Sequence, residues 1–450
     1  MSESALIYAF NPTMQCQIMS EPNTGFTPEQ LRAWLPPLDK SPAAVWWVGF
    51  SGGLDSTVLL HALAQLNLPV ALRALHINHQ ISPNADAWQA QCARLCAELN
   101  IPFLAQKVQV KNTGKGIEDA AREARYRVFE HHVGSDDYLF TAHHSNDQAE
   151  TLLLRLMRGT GPRGLAGIAS ERELMGGGKL IRPLLHFSRA DLEAYAHAHQ
   201  LRWSDDESNQ DDHYDRNFLR NRVMPLLHNR WPAFMRKWQQ TAELCAQQEN
   251  LLDEFAQQDF VRATPRAERI GQSIDLVWLK SLSVARRQHL LRYWLRQLKC
   301  ELPETAHWQQ LEIQLLNARE DAAIKITWNK HSLQPYQERL FLLPGELPVM
   351  ELQLVETIAA NIEAKYLRAD LPDLYIRYRT GGERCKPAGR RHSQLLKKLL
   401  QEYQLEPWLR DSVPLLYSKE NLVAVGDLWV CDGYVAQVGE PALQLVWCQR

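Results

Sequence analysis

The sequence predicts an α/β protein: a parallel sheet with helices on both faces in its N-terminal half, then a helical middle region and a small α+β region at the C-terminus. Two observations carry this. From about residue 44 to 200, short apolar runs alternate with helix-period segments, the pattern of successive βα units in a sheet covered on both sides. From about residue 225 to 320 the chain turns rich in Gln, Leu, Arg and Trp, and strand-like runs return mainly in the last hundred residues.

The elements follow in order. Residues 44–50, AVWWVGF, form an apolar run bounded by polar and glycine residues, which suits a buried strand. A helix is expected at 56–66, then a strand at 70–77, a helix at 87–99, a strand at 102–110, a helix at 116–132, a strand within 136–144 and a helix at 146–158 with a leucine-rich face. A further extended run at 180–185 precedes Ser188, which can cap a helix with Asp191 at its third position. The glycines at 176–178 before Lys179 read as a turn and not as a phosphate loop. Pro and Gly around 342–348 read as a linker. Strands are expected at 375–379, 422–425 and 427–430, and a helix at 393–404 that Ser393 would cap. The resulting division is an extension at 1–40, a catalytic α/β domain at 41–225, a helical middle domain at 226–345 and a C-terminal domain at 350–450.

Size and composition agree with several domains. The 450 residues exceed one ordinary core, since roughly 100–200 residues make a domain. With 45% apolar and 23% charged residues the chain has a globular composition. No apolar run approaches the roughly 20 residues of a membrane-spanning helix, and the start lacks a basic segment ahead of a hydrophobic one; a cytoplasmic protein is expected, with no membrane partner. The eight cysteines have no repeated short spacing, so neither a zinc site nor a disulfide framework is read. Cys92 and Cys96 are expected as buried thiols on one helix. A net charge of −2 means that a nucleic-acid partner must be argued from local clusters.

The most informative stretch is SGGLDS, Ser51, Gly52, Gly53, Leu54, Asp55 and Ser56, between the first strand and its helix. Glycines let backbone N–H groups approach an anion, the helix N-terminus adds a favourable dipole, and the serines can donate hydrogen bonds. Unlike the Walker loop it has no lysine for the terminal phosphates, while Asp55 can hold a Mg²⁺ that bridges phosphate oxygens. The reading is a nucleotide-binding domain with a pyrophosphate cradle. His76, at the end of the second strand, is a candidate nucleotide contact.

This loop resembles that of the ATP pyrophosphatases with the SGGxDS motif, which cleave ATP between the α and β phosphates and transfer AMP to a carbonyl or carboxylate oxygen. Further blocks are similar to one branch of them, the lysidine synthetases. EDAAREARY at 118–126 resembles their AAREARY element, which makes Arg122 and Arg125 candidates for the nucleotide and for developing charge. TAHHSNDQAET at 141–151, continuing to RGTG at 158–161, looks like their signature. In it Asp147 and Glu150 are three apart and share a helix face, able to receive an ammonium group or a magnesium ion; Asn146 stands where many relatives carry Asp. DESN at 206–209 and DRNFLRNR at 215–222 are a third match, implying that Arg216 and Arg220 reach the active site or the RNA.

The resemblance implies a reaction of ATP, L-lysine and the isoleucine tRNA with a CAU anticodon. AMP is placed on O2 of the wobble cytosine, and the lysine ε-amine displaces it to give lysidine. ATP as substrate and Mg²⁺ are the implied cofactors, and a homodimer is left open. A sulfur-inserting relative would need paired C-x-x-C motifs and an amidotransferase an ammonia-generating module; neither is found in the sequence. A tRNA-binding factor without catalysis would not need the loop with Asp55. Near the C-terminus Arg377, Arg379, Arg384, Lys386, Arg390, Arg391, Lys397 and Lys398 accompany a single acid, Glu383, in sequence. All of these except Arg377 are candidate tRNA contacts, and RTGGER with GRRHS resembles the C-terminal domain of the larger lysidine synthetases.

Overall fold

The computed structural model describes residues 25–38, 44–110, 117–204, 211–317, 324–360 and 366–450. The N-terminal leader up to residue 24 and the DESN motif lie outside the described residues. The chain forms two compact units, Met1–Asn250 and Leu251–Arg450.

The first unit contains α1 (Pro28–Arg32), β1 (Val45–Gly49), α2 (Leu54–Gln65), β2 (Ala71–Asn78), α3 (Ala85–Glu98), β3 (Phe103–Lys107), α4 (Ile117–His132), β4 (Tyr138–Phe140) and α5 (Ser145–Met157). After α6 (Pro162–Leu165) come the hairpin β5 (Glu171–Glu173) and β6 (Lys179–Ile181), then α7 (Arg189–Ala198), α8 (Asp215–Phe218) and α9 (Met224–Arg230). The strand order is β3-β2-β1-β4-β6-β5, parallel except for β5. Because β1 lies between β2 and β4, the order reverses at the β1/β4 boundary, where the crossovers leave a crevice at the carboxyl ends of the strands.

β1 is apolar throughout because both faces are covered. Trp46, Val48 and Phe50 pack with α2, α3 and α7 through Val58, Leu59, Cys92, Cys96, Leu192 and Tyr195, while Trp47 clusters with Phe129 of α4 and Val133 just after it. Phe26 and Leu31 join the first of these cores, so the extension read at 1–40 contributes to the α/β unit from about Phe26 on. α7 begins as expected: Ser188 and Asp191 form a reciprocal capping box. The glycines at 176–178 make the β5–β6 turn, with Gly177 donating to the Leu174 carbonyl.

The long helix α10 (Phe234–Arg262) leads into the second unit. There β7 (Arg266–Ala267), β8 (Gln272–Asp275), β9 (Ile326–Trp328), β10 (His331–Tyr336) and β11 (Arg339–Pro344) form an antiparallel sheet ordered β7-β8-β11-β10-β9. The helices α11 (Leu276–Ser281), α12 (Val284–Gln297) and α13 (Thr305–Asn317) pack on it around Trp294, Leu290, Trp308 and Ile274. The helical middle region therefore has a sheet beneath it, which the two- to six-residue strands concealed in sequence. Leu342–Pro344, expected in a linker, are the end of β11: Leu342 and Leu343 are buried and Pro344 stands at the strand's last position.

The rest is mostly antiparallel sheet. β12 (Met350–Ile358), β13 (Tyr366–Arg368) and β20 (Pro441–Gln449) form one sheet; β14 (Leu374–Tyr378), β17 (Pro414–Ser418), β18 (Asn421–Val425) and β19 (Trp429–Val430) form another. A two-stranded ribbon, β15 (Arg384–Cys385) with β16 (Gln394–Leu395), precedes α14 (Leu396–Glu402). Ser393 does not cap this helix. Pairing with β15 keeps residues 394–395 extended, so α14 starts at Leu396 with Leu395 at its N-cap.

Gly52 is a constrained backbone position in the loop after β1. Its φ is +87°, and a Cβ there would lie 2.6 Å from Cys92 Sγ. Gly52→Ala is expected to lower stability by about 1–3 kcal/mol, from dihedral strain and from the clash. Cys92→Ala in that background should return only the part due to the clash. Unfolding midpoints of the three proteins check this; an unchanged midpoint for Gly52→Ala would show that the left-handed residue is not needed.

Candidate active site

The loop after β1 is built from short hydrogen bonds. Ser51 Oγ lies 3.0 Å from Ser56 Oγ and accepts from the Gly53 N–H at 3.3 Å, and Ser56 Oγ donates to the Gly53 carbonyl at 3.1 Å. The Ser204 N–H donates to the Gly52 carbonyl at 2.9 Å, holding the loop from the other side. Gly53 is the N-cap of α2 and has no side chain with which to cap it. The first N–H groups of a long buried helix are thereby left for an anion, in a loop held open by glycine.

Asp55, in the first turn of α2, faces the segment that follows β4. His144 Nε2 stands 3.5 Å from Asp55 Oδ2 and 3.5 Å from Asp147 Oδ2, and Arg189 Nη1 lies 3.8 Å from Asp55 Oδ2. Burial would lower the His144 pKa, but Asp147, Asp55 and Glu150 outweigh it and hold it above the ordinary histidine value. Asp55 Oδ1 is buried without a hydrogen-bond partner.

Asp147 and Glu150 do share one face of α5, and it is occupied. Arg216 donates through Nη2 to Asp147 Oδ1 at 2.8 Å and through Nε to Glu150 Oε2 at 2.8 Å. Arg220 donates through Nε to Glu150 Oε1 at 2.7 Å and through Nη2 to Glu150 Oε2 at 2.9 Å. Glu150 is only 1% exposed, so both of its oxygens are met by guanidinium donors. Burial alone would raise the Asp147 pKa, but His144 and Arg216 bring it down to about 2. Arg216 and Arg220 lie four apart across α8 and the π-turn Leu219–Val223 that continues it. The carboxylates expected to receive a free ammonium group thus already hold two cations.

Other predicted residues lie around this cluster. His76 is buried and bonds through Nδ1 to the Phe50 carbonyl at 2.8 Å, which ties β2 to the loop. Burial lowers its pKa, partly offset by that bond. His79 is lowered to about 4 by burial and then by Arg125 and His76, which places Arg125 on the His79 side of the crevice. Arg122 is exposed and donates to Tyr126 Oη at 3.4 Å; neither Arg122 nor Arg125 is paired with Asp55 among the described residues. Asn146 accepts from the Arg189 N–H at 3.0 Å and so fixes the start of α7.

Several residues of the site carried no assigned role in sequence. His144 stood inside a recognised motif but was indistinguishable from His143 there. Arg189 sits at a helix start, a position with no charge pattern to mark it. Gln148 bonds both ways to Ile168, accepting from its N–H at 2.6 Å, and thereby seats the loop after α5. Among the described residues no three His, Cys, Asp or Glu side chains form a metal-holding group.

In the second unit the basic run is not opposed by Glu383 alone. Lys386 pairs with Asp432 at 2.6 Å, Arg390 with Glu402 at 2.9 Å and Arg379 with Asp411 at 3.4 Å, acids distant in sequence. Arg384 donates to the Ser393 carbonyl at 3.1 Å. Arg391, Lys397 and Lys398 are exposed. Glu383, 3.9 Å from Arg379 Nε, also accepts from the Thr380 and Gly381 N–H groups at 2.6 and 2.8 Å, shaping the turn in which Gly381 and Gly382 have positive φ.

Comparison with known proteins matches three family models: a PP-loop domain over residues 28–227, a TilS substrate binding domain over 275–341 and a TilS substrate C-terminal domain over 374–447. The tRNA(Ile)-lysidine synthase of Shigella flexneri is 40% identical over 425 residues, 89% of this chain and 95% of the relative. That of Coxiella burnetii is 34% identical over 437 residues, 92% of this chain and 94% of the relative. A solved structure, the U34-tRNA thiolase NcsA from Methanococcus maripaludis, aligns with TM-score 0.40 and 17% identity over 52% of this chain and 80% of that one. With relatives this similar along nearly its whole length, and a PP-loop cradle at the switch point of its sheet, the chain belongs to the tRNA(Ile)-lysidine synthase family.

Proposed function

We propose that the chain ligates L-lysine to carbon 2 of the wobble cytidine of the CAU-anticodon isoleucine tRNA, consuming ATP and releasing AMP and pyrophosphate. The single observation that carries this, beside family membership, is the uncapped N-terminus of α2 with the partnerless Asp55 oxygen beside it. In the first step the cytosine O2 attacks the α-phosphorus and pyrophosphate leaves. In the second the lysine ε-amine adds at carbon 2, the C2–O2 bond breaks with AMP departing, and the amine loses its proton. An anticodon base is single-stranded and need only be unstacked to enter. The setting is the cytoplasm, in keeping with the absence, among the described residues, of a helix long and apolar enough to cross a membrane.

Ser51, Gly52, Gly53, Leu54 and Ser56 hold the phosphates through the loop and the first N–H groups of α2, with His76 bracing the loop from β2. Asp55 is the residue that would hold Mg²⁺, and its partnerless Oδ1 fits that use; the ion, when bound, neutralises charge on the phosphates. Magnesium commonly takes one or two carboxylates and completes its shell from phosphate and water, so a fuller protein cage is not required. Arg122 and Arg125 stabilise charge on the reacting phosphate. Asp147 and Glu150 receive the lysine ammonium as one of Arg216 and Arg220 turns toward the phosphates and the other stays in place, an exchange of one cation for another that keeps the buried charge balanced. Arg379, Arg384, Lys386, Arg390, Arg391, Lys397 and Lys398 contact the tRNA.

Mass analysis of nucleosides from tRNA incubated with the protein, ATP and lysine should show lysidine; its absence would overturn the assignment. Asp55→Ala should cut AMP formation more than tenfold and leave tRNA binding nearly intact, as read by adenylation assays and binding isotherms. Asp147→Ala and Glu150→Ala should each slow the lysine-dependent step; unchanged lysine affinity and unchanged second-step rate in both would make the carboxylates structural. Arg390→Ala with Arg391→Ala should weaken tRNA binding and flatten its salt dependence by about 1–2 units of slope, at roughly 0.7–0.9 per phosphate contact, with ATP affinity unchanged. Equal slopes would mark a solvated surface.

A further inference from the structure

We propose that Tyr126, Arg172 and Arg182, bordered by Arg155 and, on the side of the reacting phosphate, by Arg122, form a second anion site beside the catalytic cluster, which takes a backbone phosphate of the RNA next to the nucleotide being modified. The proposal rests on the reading that the substrate is an RNA. The guanidinium groups of Arg122 and Arg172 lie 5.1 and 4.5 Å from the centre of the Tyr126 ring, and Arg182 Nη2 stands 3.5 Å from Tyr126 Oη. Three arginines, from α4, β5 and the residue after β6, thus meet around one phenol, and Arg155 of α5 stands close enough to Arg122 to feel its charge. Among the described residues none of the four is within ion-pair distance of a carboxylate. Glu171 and Glu173 flank Arg172 on β5 but alternate to the opposite face, and Glu171 pairs with Lys179 at 3.8 Å.

Arg182 is the side chain that calls for a ligand. It is 5% exposed, its Nη1 donates to the Ala169 carbonyl at 2.6 Å, and its Nε is buried with no partner. A buried guanidinium among like charges is costly unless an anion joins it. Burial and then Arg122 lower the Arg155 pKa; burial, Arg172 and Arg122 lower that of Arg182 against the opposing pull of Tyr126.

The position identifies the anion. Arg182 follows β6, which pairs with β4, and the Thr141 N–H donates to the Ile181 carbonyl at 3.0 Å. His143 links the two groups: burial first lowers its pKa, and it feels Asp147 and Arg216 of one group and Arg182 and Arg122 of the other. The cluster is therefore next to the lysine-side carboxylates but two strands from the β1 loop, roughly 10 Å at one strand spacing each. A phosphate there belongs to a substrate other than the nucleotide in the cradle. Arginine forks suit a phosphodiester, and such contacts set register without reading sequence.

Arg155 and Arg182 also brace the loop after α5, Arg155 through the Gly164 and Gly167 carbonyls at 2.7 Å each. The test therefore uses Arg172, which is exposed on the sheet edge. Full-length wild type, Arg172→Ala and Arg172→Glu are titrated with CAU-anticodon isoleucine tRNA at several salt concentrations, with the KM for ATP, lysidine formation and thermal midpoints measured alongside. Arg172→Ala should weaken binding several-fold and reduce the salt slope by about 0.7, and Arg172→Glu more, with ATP KM and midpoint unchanged. Unchanged slopes in both variants would overturn the site. A raised ATP KM with unchanged slopes would overturn it as well, assigning the cluster to the nucleotide. If slopes fall but wild type makes no lysidine, the anion site stands and the proposed reaction fails.

Discussion

Two carboxylates one helical turn apart and largely out of water can stay ionised only if cations are brought to them. That constraint organises the crevice. Glu150, almost wholly buried, takes donors on both oxygens, and Asp147 takes Arg216, the His144 N–H and the His144 ring. Removing either arginine would strand charge in a low-dielectric setting, a loss of several kcal/mol when a buried pair is broken. The chain at 215–223 is consequently docked on α5, and its π-turn lets Arg216 and Arg220 address the same pair of acids.

Around that neutralised pair the charges are graded. His144 is drawn toward its protonated form by three acids, whereas His143, one residue earlier, is pushed to about 3 by burial, with Asp147 opposing and Arg182, Arg216 and Arg122 adding to the effect. Adjacent histidines are thus shifted in opposite directions, His144 upward because three carboxylates outweigh its burial and His143 downward chiefly because it is buried. The crevice runs from the anion-accepting end of α2, through a balanced ion-pair cluster, to an unbalanced cationic one. A reaction joining a nucleotide, an amine and an RNA needs environments of that kind side by side.

The cradle depends on close packing as well as on donors. Gly52 takes a left-handed φ over Cys92, and His76 reaches back from β2 to the Phe50 carbonyl. The buried thiols Cys92 and Cys96, both raised to about 12 chiefly by burial, act as small packing groups beneath the loop and not as reactive ones.

The sequence by itself determined the alternation of strands and helices to about residue 200, the cradle between β1 and α2, and the pairing of Asp147 with Glu150 on one face, because these are local consequences of periodicity, glycine and spacing. It could not show the sheet beneath the middle helices, whose strands are short and gain their stability from partners far along the chain. Nor could it show which ions meet. The acids opposing the basic run, Glu402, Asp411 and Asp432, come from other elements, and the cations on Asp147 and Glu150 come from more than sixty residues away. Charge pairing falls off with distance in space and is indifferent to separation along the chain, so only the tertiary structure decided whether the predicted carboxylates stood free or occupied.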